Sequence, residues 1–155
     1  MIRFRAPVRR DGTGFVVALS ADEAELVQRL LAELGELLNG DDDSALLARL
    51  FPVVHPDDPE EEAEYQRLMR PELVQSKLAA IAAVGAALDG DGRLDEAGLL
   101  ALMQAVNSVR LVLGTMLGIS DDVQPDEDDD EAPYEMQLYV YLSWLLEWCV
   151  RAMSS

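Results

Sequence analysis

Apolar positions recur at three- and four-residue steps along most of the chain, and at two-residue steps only near its start. Ile2, Phe4 and Ala6 alternate with Arg3 and Arg5, and Phe15, Val16 and Val17 follow the turn-forming run Asp11-Gly12-Thr13-Gly14. This pattern predicts a β-hairpin over residues 1–19. Pro7 fits an edge strand, since it cannot donate to a ladder. A lone hairpin is marginal in water, so Ile2, Phe4 and Phe15 or Val17 must pack on helices.

From residue 20 onward the period is helical. Ser20 and Glu23 have capping-box spacing, and Leu26, Val27, Leu30, Leu31, Leu34, Leu37 and Leu38 form one stripe that Asn39-Gly40 ends. Asp41, Asp42, Asp43 and Ser44 can cap a short helix through Phe51, which Pro52 stops. Asp58 with Pro59 starts the next helix, with Glu60, Glu61 and Glu62 at its positive end and Tyr65, Leu68 and Met69 on its inner face. Pro71 is expected to open a further helix carrying Val74, Leu78, Ile81 and Leu88. After a break at residues 89–93, a long helix starts near Asp95, presents Leu99, Leu102, Met103, Val106, Val109, Leu113, Met116 and Leu117, and ends at Gly118. A last helix from Pro133 to Met153 is apolar on most faces and so belongs at the centre of a bundle. The predicted fold is mainly α: a single domain of five to six helices with a small N-terminal β-hairpin. Residues 1–19 form the hairpin, 20–118 helices, 119–133 an acidic mobile loop, and 134–153 a central C-terminal helix.

Composition sharpens this picture. A chain of 155 residues, half of them hydrophobic and 27% charged, suits one folded domain with its own core. Twelve basic against thirty acidic side chains give a formal net charge of -18, a field that repels phosphate backbones and anionic lipid surfaces. Direct nucleic-acid or membrane binding is therefore disfavoured. Charge is unevenly spread: Arg3, Arg5, Arg9 and Arg10 crowd the start, whereas Asp126, Glu127, Asp128, Asp129, Asp130 and Glu131 form an acidic run. Arg3, Arg5, Asp126, Asp128, Asp129 and Asp130 are accordingly the candidate partner-binding residues. Cys149 is the sole cysteine, so one chain can form no internal disulfide. No secretory leader is recognised, and the apolar stretch Leu138 to Val150 falls short of the roughly 20 residues that span a bilayer. The expected compartment is the cytoplasm.

Sites of chemistry are harder to find. Asp89-Gly90-Asp91-Gly92-Arg93-Leu94-Asp95 looks like the middle of a calcium loop, but in that register the first ligand position is Ala87 and the twelfth, which needs a bidentate glutamate, is Gly98. An inter-helix turn is the better reading. His55 is the sole histidine and lies between prolines, no serine sits in a Gly-x-Ser-x-Gly elbow, and the sole lysine, Lys77, follows no glycine-rich loop. No catalytic, cofactor or metal residue is assigned. Cys149, among Leu145, Trp148 and Val150, reads as buried and inert. Asn107 and Arg110 fall one turn apart in an apolar helix and Glu147 interrupts another, so these three form a candidate polar core or ligand site, with Arg110 expected to pair with Glu147.

The string Val106 to Ile119 (VNSVRLVLGTMLGI), together with Tyr139 to Glu147 (YVYLSWLLE), resembles an actinobacterial family of unknown function that includes the AosR oxidative-stress regulator. The likeness extends to Phe15–Leu38, Leu50-Phe51-Pro52 and Tyr65–Met69. It implies a cytosolic, transcription-associated protein that senses redox state and engages an alternative sigma factor. That regulator senses through an intramolecular disulfide, which one cysteine cannot make, so the resemblance does not carry redox sensing onto this chain. Three functional readings remain open. The first is a non-enzymatic regulatory module that binds a protein, with homodimerisation also open. The second is a small-ligand sensor with a pocket near Asn107, Arg110 and Trp144. The third is an enzyme with an unfamiliar carboxylate site, which would gather acids of raised pKa in one deep pocket.

Overall fold

A computed structural model of the chain describes residues 6–40, 45–119 and 133–155. Arg3, Arg5, the cap residues Asp41 to Ser44, and Asp126, Asp128, Asp129 and Asp130 with the rest of their acidic run lie outside the described residues. The architecture is mainly α, with a small antiparallel sheet at the N-terminal end.

The hairpin forms one step later than the alternation suggests. Strands β1 (Val8–Asp11) and β2 (Gly14–Val17) pair from Val8↔Val17 to Asp11↔Gly14, so Ala6 and Pro7 precede the first strand. Gly12 takes φ +65°, the left-handed value that a two-residue turn needs at its first central position. Val8, Phe15 and Val17 point inward and are buried. A third strand, β3 (Arg93–Leu94), pairs with β2 through Phe15↔Leu94 and Val16↔Arg93. Two residues are too few to register as alternation, so this strand had no sequence signal. The calcium-like turn before it serves the sheet: Val17 N–H donates to Gly92 O at 2.8 Å, and Gly92 sits at φ +74°. A Cβ there would lie 2.4 Å from Val17 O, so the close approach requires glycine.

Helix α1 (Ala21–Leu38) begins with the full capping box, Glu23 N–H donating to Ser20 Oγ at 3.1 Å and Ser20 N–H to Glu23 Oε1 at 3.4 Å. It buries Val27, Leu30, Leu31, Leu34 and Leu38, the stripe read from the sequence. A short 3-10 helix, Ala45–Leu50, precedes Pro52 as expected and buries Leu47 and Leu50.

Helix α2 runs unbroken from Pro59 to Asp89, which corrects the expectation of two helices meeting at Pro71. Proline removes one donor, the one that would have met the Arg67 carbonyl four residues back. Arg67 lies on the exposed side of the helix, where a carbonyl without a helical donor costs less than in the core. Leu73, Val74, Leu78 and Ile81 anchor the following turns on the core and hold the helical path through the proline. Leu68, expected on the inner face, is 57% exposed, because this early part of α2 has little core to lie against.

Helix α3 (Glu96–Leu117) is capped by Asp95 and ends at Gly118 in the left-handed conformation. It packs against α1, α2, the 3-10 helix, β2, β3 and helix α4 (Tyr134–Ser154). The centre of the fold is thus α3, and the expectation that the last helix lies there is corrected. Helix α4 buries Leu138, Leu142, Leu145, Cys149 and Ala152 along one side but leaves Trp144 and Val150 exposed. Composition suggested apolarity all round, whereas only one side of α4 meets α3 and β1. By length and composition α3, not the Leu138 to Val150 stretch, is long and apolar enough to cross a membrane; in this fold other elements surround it.

Candidate functional site

The polar trio singled out in the sequence separates. Arg110 donates from Nη2 to Asn107 Oδ1 at 2.9 Å, one turn back on α3. Glu147 instead accepts from Arg151 at 2.8 Å, one turn on along α4, with both side chains 60% exposed. The expected Arg110–Glu147 pair is therefore corrected. An exposed carboxylate loses little hydration to a neighbour on its own helix, whereas reaching a partly buried guanidinium would cost desolvation. Arg110 lies 5.8 Å from the Tyr139 ring centroid, and its Nε is buried without a hydrogen-bond partner. The groove that Trp144 lines has neither Asn107 nor Arg110 in its lining.

A different constellation forms where the start of α1 meets the outer side of α4. Tyr141 donates its phenol proton to Glu23 Oε2 at 2.8 Å, across 118 residues of chain. Burial and the Glu23 carboxylate beside it push the Tyr141 phenol well above the ordinary range. The Tyr141 and Trp144 rings sit with centroids 5.8 Å apart and planes tilted by 36°. With Val140, Ser143 and Glu147 they line a groove of about 500 Å³ that Glu23 closes on the α1 side. The sequence signalled Glu23 only as a cap and Tyr141 only as an apolar position. Periodicity reports which residues share a face, and nothing in it indicates which neighbour that face meets.

A second hollow, of about 210 Å³, opens between α1, the 3-10 helix and α3. It is apolar, with Leu34, Leu37, Leu46, Val109 and Met116 among its lining, and Glu33 supplies the charge.

Other carboxylates are committed to the backbone. Asp58 accepts from Glu61 N at 3.1 Å, Asp91 from Arg93 N at 3.1 Å and Asp95 from Gly98 N at 2.8 Å. In the Asp89 to Asp95 turn, two of the three candidate calcium ligands are thus turn and cap acceptors. Glu62 Oε1 accepts from both Val54 N and His55 N, tying down the proline-rich loop, while the His55 ring meets the Tyr65 ring edge-on at 5.8 Å. The Gln66 side chain and these backbone donors hold the Glu62 carboxyl below its ordinary pKa, and Arg67 does the same for Glu64. Both shifts run opposite to what a general acid requires. No three of His, Cys, Asp and Glu converge to hold a metal among the described residues. Cys149 is fully buried, and burial pushes its thiol up to about 12, far from a reactive thiolate.

None of the curated proteins and none of the solved structures matches the chain. One family model does match, over residues 1–153, and it is described as a domain of unknown function, DUF2017. Spanning nearly the whole sequence, that match assigns the chain to its family: this protein belongs to the DUF2017 family.

Proposed function

We propose that this chain is a non-enzymatic regulatory module that works by binding a basic protein surface, in the cytoplasm and in association with transcription. One observation carries the reading. The outward side of α4 presents Val140, Trp144 at 38% and Val150 at 47% exposure, on a body whose formal charge is -18. An apolar aromatic surface within an acidic field suits a cationic protein partner, because charge steers the encounter and the aromatic side chains supply the contact. The resemblance of Val106–Ile119 and Tyr139–Glu147 to the family of the AosR regulator supports a sigma factor as the partner and oxidative stress as the setting. Commitment of Glu62, Asp58, Asp91 and Asp95 to backbone donors accords with a non-catalytic role.

Chemical crosslinking of the full chain in cells, followed by mass spectrometry and by reconstitution with the purified partner, tests the proposal. The expected outcome is a basic protein whose binding weakens steeply between 0.05 and 0.5 M salt. Finding no protein partner at all would overturn it.

A small-ligand sensor is a second reading, and the apolar hollow between α1, the 3-10 helix and α3 favours it. Its place differs from the one expected near Asn107, Arg110 and Trp144. A screen of short aliphatic amines and alcohols by thermal shift, with Val109→Trp to fill the hollow, separates the two readings.

A further inference from the structure

We infer that the groove formed by Tyr141, Trp144, Glu23 and Glu147 receives an arginine side chain from the partner protein. This rests on the interaction-module reading and names its contact. Two tilted aromatic rings 5.8 Å apart offer π faces, and two carboxylates stand at the groove walls. That combination recognises an organic cation: the ring quadrupole attracts the charge, and carboxylate oxygens accept its N–H donors. A guanidinium fits better than an ammonium, being planar, weakly hydrated and able to stack while donating at its edge.

The rest of the molecule shows this chemistry in use. Arg10 lies 4.7 Å from the Phe15 centroid, Arg70 4.2 Å from Phe51, Arg110 5.8 Å from Tyr139, and Arg151 5.0 Å from Trp148. The Tyr141–Trp144 pair has no such guanidinium from its own chain among the described residues, although it is the pair flanked by two acids. Glu23 is already positioned, held by Ser20 N–H on one oxygen and the Tyr141 hydroxyl on the other. Glu147 is oriented by Arg151 through Oε1, leaving Oε2 to accept from a guest. A second copy of the chain is a poor source of that arginine, since two bodies of charge -18 repel.

The test titrates the full-length chain with N-acetyl-arginine amide and with its neutral isostere, N-acetyl-citrulline amide, at low salt, following the Trp144 indole N–H by NMR. Saturable shifts centred on Trp144 are expected for the arginine compound, with citrulline weaker by about fivefold or more. Trp144→Leu should weaken arginine binding by about fivefold and Glu147→Gln by about threefold. Glu147 is exposed, so the second variant keeps the fold even if the first disturbs it. Equal shifts from both compounds, or arginine shifts spread over the acidic surface and indifferent to both variants, would overturn the assignment. Crosslinked partner that binds both variants as tightly as the parent chain also overturns the groove, while the interaction reading stands. Arginine seated in the groove without any protein partner leaves the guanidinium site standing and removes the interaction reading.

Discussion

Glu23 shows how one side chain joins local and long-range structure. Its backbone and carboxylate complete the capping box that starts α1, and the same carboxylate accepts a hydrogen bond from the Tyr141 hydroxyl of α4. A hydrogen bond to a charged acceptor contributes about 1.5–3 kcal/mol when buried, so Tyr141→Phe at this half-buried position should cost about 1–2 kcal/mol in urea denaturation. An unchanged midpoint would show that the two helices do not depend on the bond. The pH dependence has a definite sign. A phenol whose pKa is raised by folding contributes stability that is whole below about 10, the unfolded value, and drains away as pH climbs beyond it. Denaturation curves between pH 8 and 11 should therefore fall, and fall less steeply in Tyr141→Phe. Cys149 adds to that slope, since its thiol is raised from 9.0 to about 12. Below that range it should resist thiol reagents in the native protein at pH 8 and label fully in denaturant; rapid native labelling would mean that α4 opens.

At the level of elements, caps and breakers were read well where their effect is local. Ser20, Asp58, Asp95 and Gly118 each bound a helix as the sequence indicated. Pro71 was misread because a proline signal has two meanings, a helix start and a tolerated interior defect, and the packing around it decides between them. A proline inside a helix costs about 3 kcal/mol relative to alanine, partly offset by about 0.4–1 kcal/mol through its stiffening of the unfolded chain. Pro71→Ala is thus expected to stabilise the protein by about 2–2.6 kcal/mol, read as a higher denaturation midpoint with the same slope. Destabilisation would mean that the ring, which lines a groove with Arg70 and Val74, is itself part of the packing. Strand β3 went unseen for a related reason. Its two residues are held in place by β2 and by the Arg93–Asp11 ion pair at 2.8 Å, both distant in sequence.

Across the whole molecule, charge is the dominant constraint. With -18 on one body and few ion pairs among the described residues to offset it, mutual repulsion opposes the folded state. Raising salt from 0.02 to 0.5 M shortens the screening length severalfold and should raise the melting temperature by about 2–4 °C, equivalent to about 1 kcal/mol for a chain of this size. A melting temperature that falls with salt would show that attractive pairs outweigh the repulsion. The same salt should weaken a basic partner, so stability and binding are expected to respond in opposite directions.

The caps at Ser20, Asp58, Asp95 and Gly118, the α1 and α3 stripes, the hairpin turn and the burial of Cys149 were legible in the sequence, because each follows from backbone capping, residue period or side-chain size within a few neighbours. The groove was not, although each of its residues was visible on its own. Which helix becomes the centre, which side of α4 stays open, and whether Arg110 meets Glu147 or Asn107 depend on competition among surfaces far apart in the chain. Tertiary packing settles that competition by burying the most apolar area at the least desolvation cost, and a one-dimensional pattern holds no record of the contenders.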